Sequence, residues 1–204
     1  MYTPDLYKNE NPEEIKAFLK ENSFGILINQ TNGKLCATHI PIELEINGDG
    51  KEILQGHISK LNPQAEGFSE NDQVLAIFTG PHSYISSSWY DHENVPTWNY
   101  IAVHVYGKIK IVDYDTAVEQ LKKLVDKYEV NSANPVRVED LSAQTMREAR
   151  GIFGFEIEIE EIQATKKLSQ NRDDHNYQNI ITELEKTENP QSIAVAKEMS
   201  KCRK

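Results

Sequence analysis

Between Tyr100 and Ile111 the chain alternates with a period of two. Ile101, Val103, Val105, Ile109 and Ile111 fall on one side with Gly107, and Tyr100, Ala102, His104, Tyr106 and Lys108 on the other. Side chains two apart share one face of a strand but not of a helix, so this segment reads as β. Its aliphatic face requires a core, and the face holding His104 and two tyrosines must meet something half polar.

The same period recurs on both sides of that strand. Phe24 to Gln30, Lys34 to Ile46 and Lys51 to Ile58, separated by Thr31-Asn32-Gly33 and Asn47-Gly48-Asp49-Gly50, read as a three-stranded meander. Ile40, Ile42, Leu44 and Ile46 give its middle strand one buried face. Val74 to Thr79 reads as a fourth strand. Phe153 to Ile162 closes the set, alternating Phe155, Ile157 and Ile159 with Glu156, Glu158 and Glu160. Helices are signalled at Asn11-Pro12-Glu13-Glu14, with Ile15, Phe18 and Leu19 as the stripe, and as a short turn after Asn62-Pro63. Further helices are expected after Asp115, with Val118, Leu121, Val125 and Tyr128 inward, near Leu141 to Arg150, and after Asn189-Pro190.

Six strands joined mainly by short turns predict a mainly β (α+β) fold, a six-stranded antiparallel barrel, because closing the sheet removes unpaired edges. The expected division is a barrel domain over residues 1–170 and a helical extension over 171–204. The extension is polar, with a weak stripe of Ile193, Ala196 and Met199, and is expected to pack loosely or on a partner subunit.

With 22 Lys and Arg against 32 Asp and Glu, the formal charge is -10, and the mean field repels a polyphosphate backbone. Direct nucleic-acid binding would need a local basic patch or a partner. No signal-like segment and no apolar run of about 20 residues occurs, which reads as a cytoplasmic protein without a membrane span. Two cysteines, Cys36 and Cys202, cannot make a disulfide framework or a thiolate cage.

Chemistry concentrates in three places. Gly80 to Tyr100, without a regular period over Gly80 to Asn99, holds both tryptophans, three tyrosines and several hydroxyls, a composition suited to a flat heteroaromatic ligand or to plugging a barrel end or subunit interface. Gly56 to Pro63 ends a strand and opens a helix, so Ser59, Lys60 and free amides could meet a phosphate, or Lys60 could be a solvated surface group. Lys166 to Arg172 is the one concentrated basic stretch, able to hold an anion or simply to face water.

Other chemistries lack their signatures. The six histidines show no HxH, HxxxH or HExxH spacing, so no metal site is predicted. Neither GxGxxG after a strand, nor a P-loop, nor a GxSxG elbow is present.

Ala37-Thr38-His39-Ile40-Pro41, Gly56-His57 through Asn62-Pro63-Gln64, Gly80-Pro81-His82-Ser83-Tyr84-Ile85-Ser86, Ser88-Trp89-Tyr90, Val95 to Tyr100 and Lys167-Leu168-Ser169-Gln170-Asn171 occur in this order. Together they resemble the PaiB family of FMN-binding negative transcriptional regulators, up to about Arg172. The resemblance implies a split β-barrel related to pyridoxamine phosphate oxidases, a homodimer, and FMN held at the subunit interface. The cofactor set it implies is His39, His57, Lys60, Asn62, Tyr84, Ser86, Trp89, Thr97, Trp98, Asn99, His104, Lys167, Ser169, Gln170 and Arg172. Where relatives often carry arginine, this chain has Lys60, which keeps the charge without the two-pronged geometry.

Three functions are compatible with that set. One is a flavin-binding regulator that acts through a protein partner. Another is a flavin-dependent oxidoreductase with His39 or His104 as proton donor. The third is a haem-binding split barrel with His104 or His175 on iron. No residue is assigned as catalytic by the sequence.

Overall fold

The computed structural model describes residues 1–69 and 72–203. Helix α1 (Pro12–Glu21) is followed by strands β1 (Phe24–Thr31), β2 (Lys34–Ile46), β3 (Glu52–Ser59), β4 (Gln73–Ile85) and β5 (Thr97–Ile111). Helix α2 (Tyr114–Glu129), strand β6 (Ile152–Lys167) and helices α3 (Asp174–Glu185) and α4 (Pro190–Cys202) complete the chain. The strands close into an antiparallel ring in the order β1-β2-β3-β6-β5-β4, the expected six-stranded architecture.

Local chemistry accounts for the turns. Asn32 and Gly33 both take positive φ, 51° and 76°, and let Thr31 pair directly with Lys34 in the two-residue hairpin. At the next turn Asn47 Oδ1 accepts from the amides of Asp49 and Lys51, at 3.0 Å each. The β3–β6 register sets Leu54 against Ile157 and Gly56 against Phe155.

By its internal contacts the chain forms two compact units. One comprises Met1–Phe18, Thr79–His104 and the chain from Gln163 onward; the other comprises Leu19–Phe78 and Val105–Ile162. In the latter, Phe68 packs its ring 5.9 Å from both Phe153 and Phe155. Glu43, expected on the polar face of β2, is buried there. Lys127 Nζ bonds its carboxylate at 2.6 Å, and Tyr128 OH donates to it at 3.3 Å.

Several expectations are corrected. β4 runs six residues past Thr79: buried positions fall at Val74, Ala76, Phe78 and Gly80, then change phase at Pro81-His82 to Ser83 and Ile85. The slip, as an extra residue in a strand produces, hides the period. β6 likewise continues to Lys167 after losing its alternation at Glu160-Glu161-Ile162. There the N-terminal segment supplies a neighbour, with Asn9 N donating to Ala164 O at 3.0 Å and Lys8 bridging Thr165. α2 is capped by Asp113, not Asp115, since Asp113 Oδ1 accepts from Thr116 N at 2.8 Å. The segment near Leu141 to Arg150 forms only 3-10 turns, at Val138–Asp140 and Thr145–Gly151.

The C-terminal segment is not loosely packed. Tyr177, Ile180, Ile181 and Leu184 stand at i, i+3, i+4 and i+7 of α3 and are buried with Val195, Ala196 and Met199 of α4. Ile85, Tyr90, Ile101 and Leu168 complete this core, with Phe18 and Trp89 against it.

Candidate flavin site

The first unit gathers most of the residues singled out in the sequence. Lys167, at the end of β6, donates from Nζ to Thr97 Oγ1 at 2.6 Å. After it the backbone turns through Ser169, which holds φ of 61°, a left-handed conformation that serine seldom adopts. Ser169 Oγ donates to Asn99 Oδ1 at 3.1 Å, and Asn99 Nδ2 reaches Met199 Sδ at 3.5 Å. Both residues are buried, so they set the shape of the turn from behind. Gln170 does the same: its Oε1 accepts from Leu168 N at 2.7 Å and its Nε2 donates to Lys166 O. Arg172 lies with its guanidinium 4.9 Å from the Tyr90 ring centre.

The two tryptophans have separate roles. Trp89 packs into the C-terminal core, and its carbonyl accepts from Asn179 Nδ2 at 2.5 Å. Trp98 is 52% exposed, with the ring of Tyr84 edge-on at 6.1 Å and that of His82 at 6.2 Å. Ser86 caps the 3-10 turn Ser87–Trp89, accepting from Ser88 N at 3.2 Å. His104 is half-buried, and burial, then the N-terminal amine, lowers its pKa.

The second unit carries the other four. Lys60 is exposed, and its Nζ donates to the carbonyl of Arg150 at 2.6 Å. Asn62 caps a five-residue 3-10 turn, Pro63–Gly67, with Oδ1 accepting from Gln64 N at 3.0 Å and Nδ2 donating to Thr38 Oγ1 at 2.9 Å. The turn is too short to act as a helix dipole. Buried Gln64, absent from the expected set, donates to Leu27 O at 3.0 Å and accepts from Thr38 Oγ1; its place in the Asn62-Pro63-Gln64 motif was the available signal. His39 is exposed beside Phe24, ring centres 6.3 Å apart.

Burial holds the His57 imidazole below its ordinary 6.5 and so keeps it neutral in the fold. The unfolded chain takes that proton first, so the stability present above the unfolded pKa is lost as pH falls through the folded value. His104 shifts the same way. A His57→Gln variant should therefore lose less melting temperature than the wild type on acidification below pH 6.5. Superimposable melting profiles would remove His57 as a titrating group.

The donor set fits a phosphorylated aromatic cofactor. Among the described lysines with a hydrogen bond, Lys60 and Lys167 donate to neutral oxygens, Lys167 also lying 5.9 Å from the Tyr7 ring centre, whereas Lys8, Lys122, Lys123, Lys127, Lys166, Lys186 and Lys201 meet carboxylates. Their charge is thus directed but not neutralised, as a phosphate contact requires. The open faces of Trp98 and Tyr84 suit a flat ring.

Comparison with known proteins agrees with this reading. Residues 1–161 match the family model described as "Putative FMN-binding domain". The chain is 45% identical over 200 residues to "Protease synthase and sporulation protein PAI 2" of Bacillus subtilis, covering 98% of this chain and 96% of that one. It is 27% identical to an uncharacterised protein of Emericella nidulans, over 91% of this chain and 90% of that one. In fold it is similar to the flavocytochrome Anf3 of Azotobacter vinelandii, with TM-score 0.63 and 16% identity over 84% of this chain and 75% of that one. It is also similar to the FAD and heme binding protein of Mycobacterium smegmatis, with TM-score 0.61 and 15% identity over 79% and 73%. A ring of six antiparallel strands, a motif series that runs from Ala37 to Asn171, and a family match over most of its length place the chain in the PaiB family of FMN-binding split-barrel proteins.

Proposed function

We propose that this protein is an FMN-binding homodimer that acts as a negative regulator through a protein partner, the contact depending on the state of the flavin or of a ligand beside it. The observation that carries this reading is Lys167, oriented by the neutral oxygen of Thr97 and without a carboxylate partner among the described residues in a chain of charge -10. Thr97 and Lys167 would meet the phosphate, while Trp98 and Tyr84 would cover the ring. Bound FMN supplies a reversible two-electron acceptor. Burial disfavours the protonated form of both His57 and His104. The acidic balance disfavours direct DNA contact, and the name of the Bacillus subtilis relative, which concerns protease synthesis and sporulation, supports a regulatory role. Among the described residues no helix is long and apolar enough to cross a membrane.

The test is a titration of purified protein with FMN, followed by fluorescence, together with light scattering on the eluting peak. Quenching of FMN and a mass of twice 23.3 kDa are expected. Unquenched FMN, a monomer at micromolar concentration, or the absorbance of haem in place of flavin would overturn the reading.

A further inference from the structure

We propose that Arg203 is a positioning residue, holding the loop from Lys167 to Arg172 in the shape in which it meets an anionic ligand. The inference rests on the reading of that loop as a contact for the flavin phosphate. From the end of α4 the Arg203 guanidinium donates to Gln170 O at 3.0 Å and to Arg172 O. It also donates to Asp174 Oδ1 at 2.8 Å, and lies 4.1 Å from the Tyr177 ring centre. One planar group thus holds two carbonyls and one carboxylate, which an ammonium on a flexible stem does not match.

A second tether reaches the same loop from inside. Tyr177 OH donates to Met199 O at 2.8 Å, Met199 Sδ accepts from Asn99 Nδ2, and Asn99 Oδ1 accepts from Ser169 Oγ. Met199, Asn99 and Ser169 are all buried. Ser169 sits at φ 61°, a conformation that persists only where the surroundings impose it. The loop is therefore held at Ser169 through α4 and at Gln170 and Arg172 through Arg203, between two cationic side chains, Lys167 and Arg172, that make no ion pair among the described residues. A segment that looks like an appendage of the barrel becomes the part that fixes the loop.

The test compares FMN with riboflavin, which has the same ring and no phosphate. Both affinities are measured by fluorescence quenching for the wild type, Arg203→Met, Arg203→Lys and Lys197→Met. The last removes one charge from an exposed position of α4 and serves as control. Arg203→Met should weaken FMN by about 5-fold or more, leave riboflavin and the control close to wild type, and be partly rescued in Arg203→Lys. Equal FMN affinity in Arg203→Met and wild type overturns the proposal. Equal losses of FMN and riboflavin, or a loss as large in Lys197→Met, overturn it too. If Arg203→Met does not fold, Arg203→Lys must show the FMN-selective loss by itself. A wild type that binds no FMN sinks the flavin reading first, and this proposal with it.

Discussion

Gly107→Ala is expected to destabilise the protein by about 3 kcal/mol or more, at the upper end of overpacking effects. A Cβ at this position of β5 would stand 2.2 Å from the backbone oxygen of Glu158 and 2.8 Å from Ile157 Cγ2. The obstacle is backbone of β6, which cannot turn away as a flexible side chain can. Relief requires the strands to move apart, and neighbouring strands keep a spacing of about 4.8 Å only while their hydrogen bonds hold. For a chain of this size about 3 kcal/mol corresponds to a fall of roughly 6–12 °C in melting temperature. Gly48→Ala is the control: an added methyl there meets nothing within 4 Å and the position has no positive φ. A Gly107→Ala protein that melts with Gly48→Ala would show that β5 and β6 are not as close as the structure places them.

Gly107 also marks what the sequence could show. It stood on the aliphatic face of the Tyr100-to-Ile111 alternation as the one member without a side chain, and a gap in a buried row signals close backbone approach. Asn32-Gly33 was equally legible, because a two-residue hairpin needs positive φ at both positions and few residue types accept it. β4 and β6 were cut short for the opposite reason: the phase change at Pro81-His82 and the Glu160-Glu161-Ile162 run break the alternation by which strands are read. The core of α3 was hidden in a polar segment, although Tyr177, Ile180, Ile181 and Leu184 carry the helical spacing.

The site was legible as motifs and illegible as roles. The aromatic stretch announced a platform, yet only packing separates Trp89, turned into the C-terminal core, from Trp98, turned outward. Asn99, Ser169 and Gln170 entered as cofactor contacts. The structure gives their polar atoms to one another, to Met199 and to the backbone. Arg203 left no trace in the motifs because two of its partners are carbonyl oxygens, which every residue has.

Lys60→Met and Lys167→Met should each weaken FMN by about 10- to 150-fold, the range set by losing a charge-assisted hydrogen bond worth about 1.5–3 kcal/mol. Methionine keeps much of the length of the stem and removes only the ammonium. Lys167 is the half-buried member, and its Thr97 partner keeps it in place, so little ordering entropy is lost when a phosphate arrives. Lys60 is exposed and donates to a carbonyl at 2.6 Å, so more of its interaction is screened, and its loss should fall nearer the lower limit. Raising salt should weaken FMN binding to the wild type and do so less in either variant. Riboflavin should bind the wild type and both variants alike, because the missing charge has no phosphate to meet. If both variants hold FMN as the wild type does, the uncompensated lysines are surface groups, and the phosphate must be met elsewhere. If riboflavin falls in step with FMN, the lysines support the ring, and the anion-binding role is lost for both.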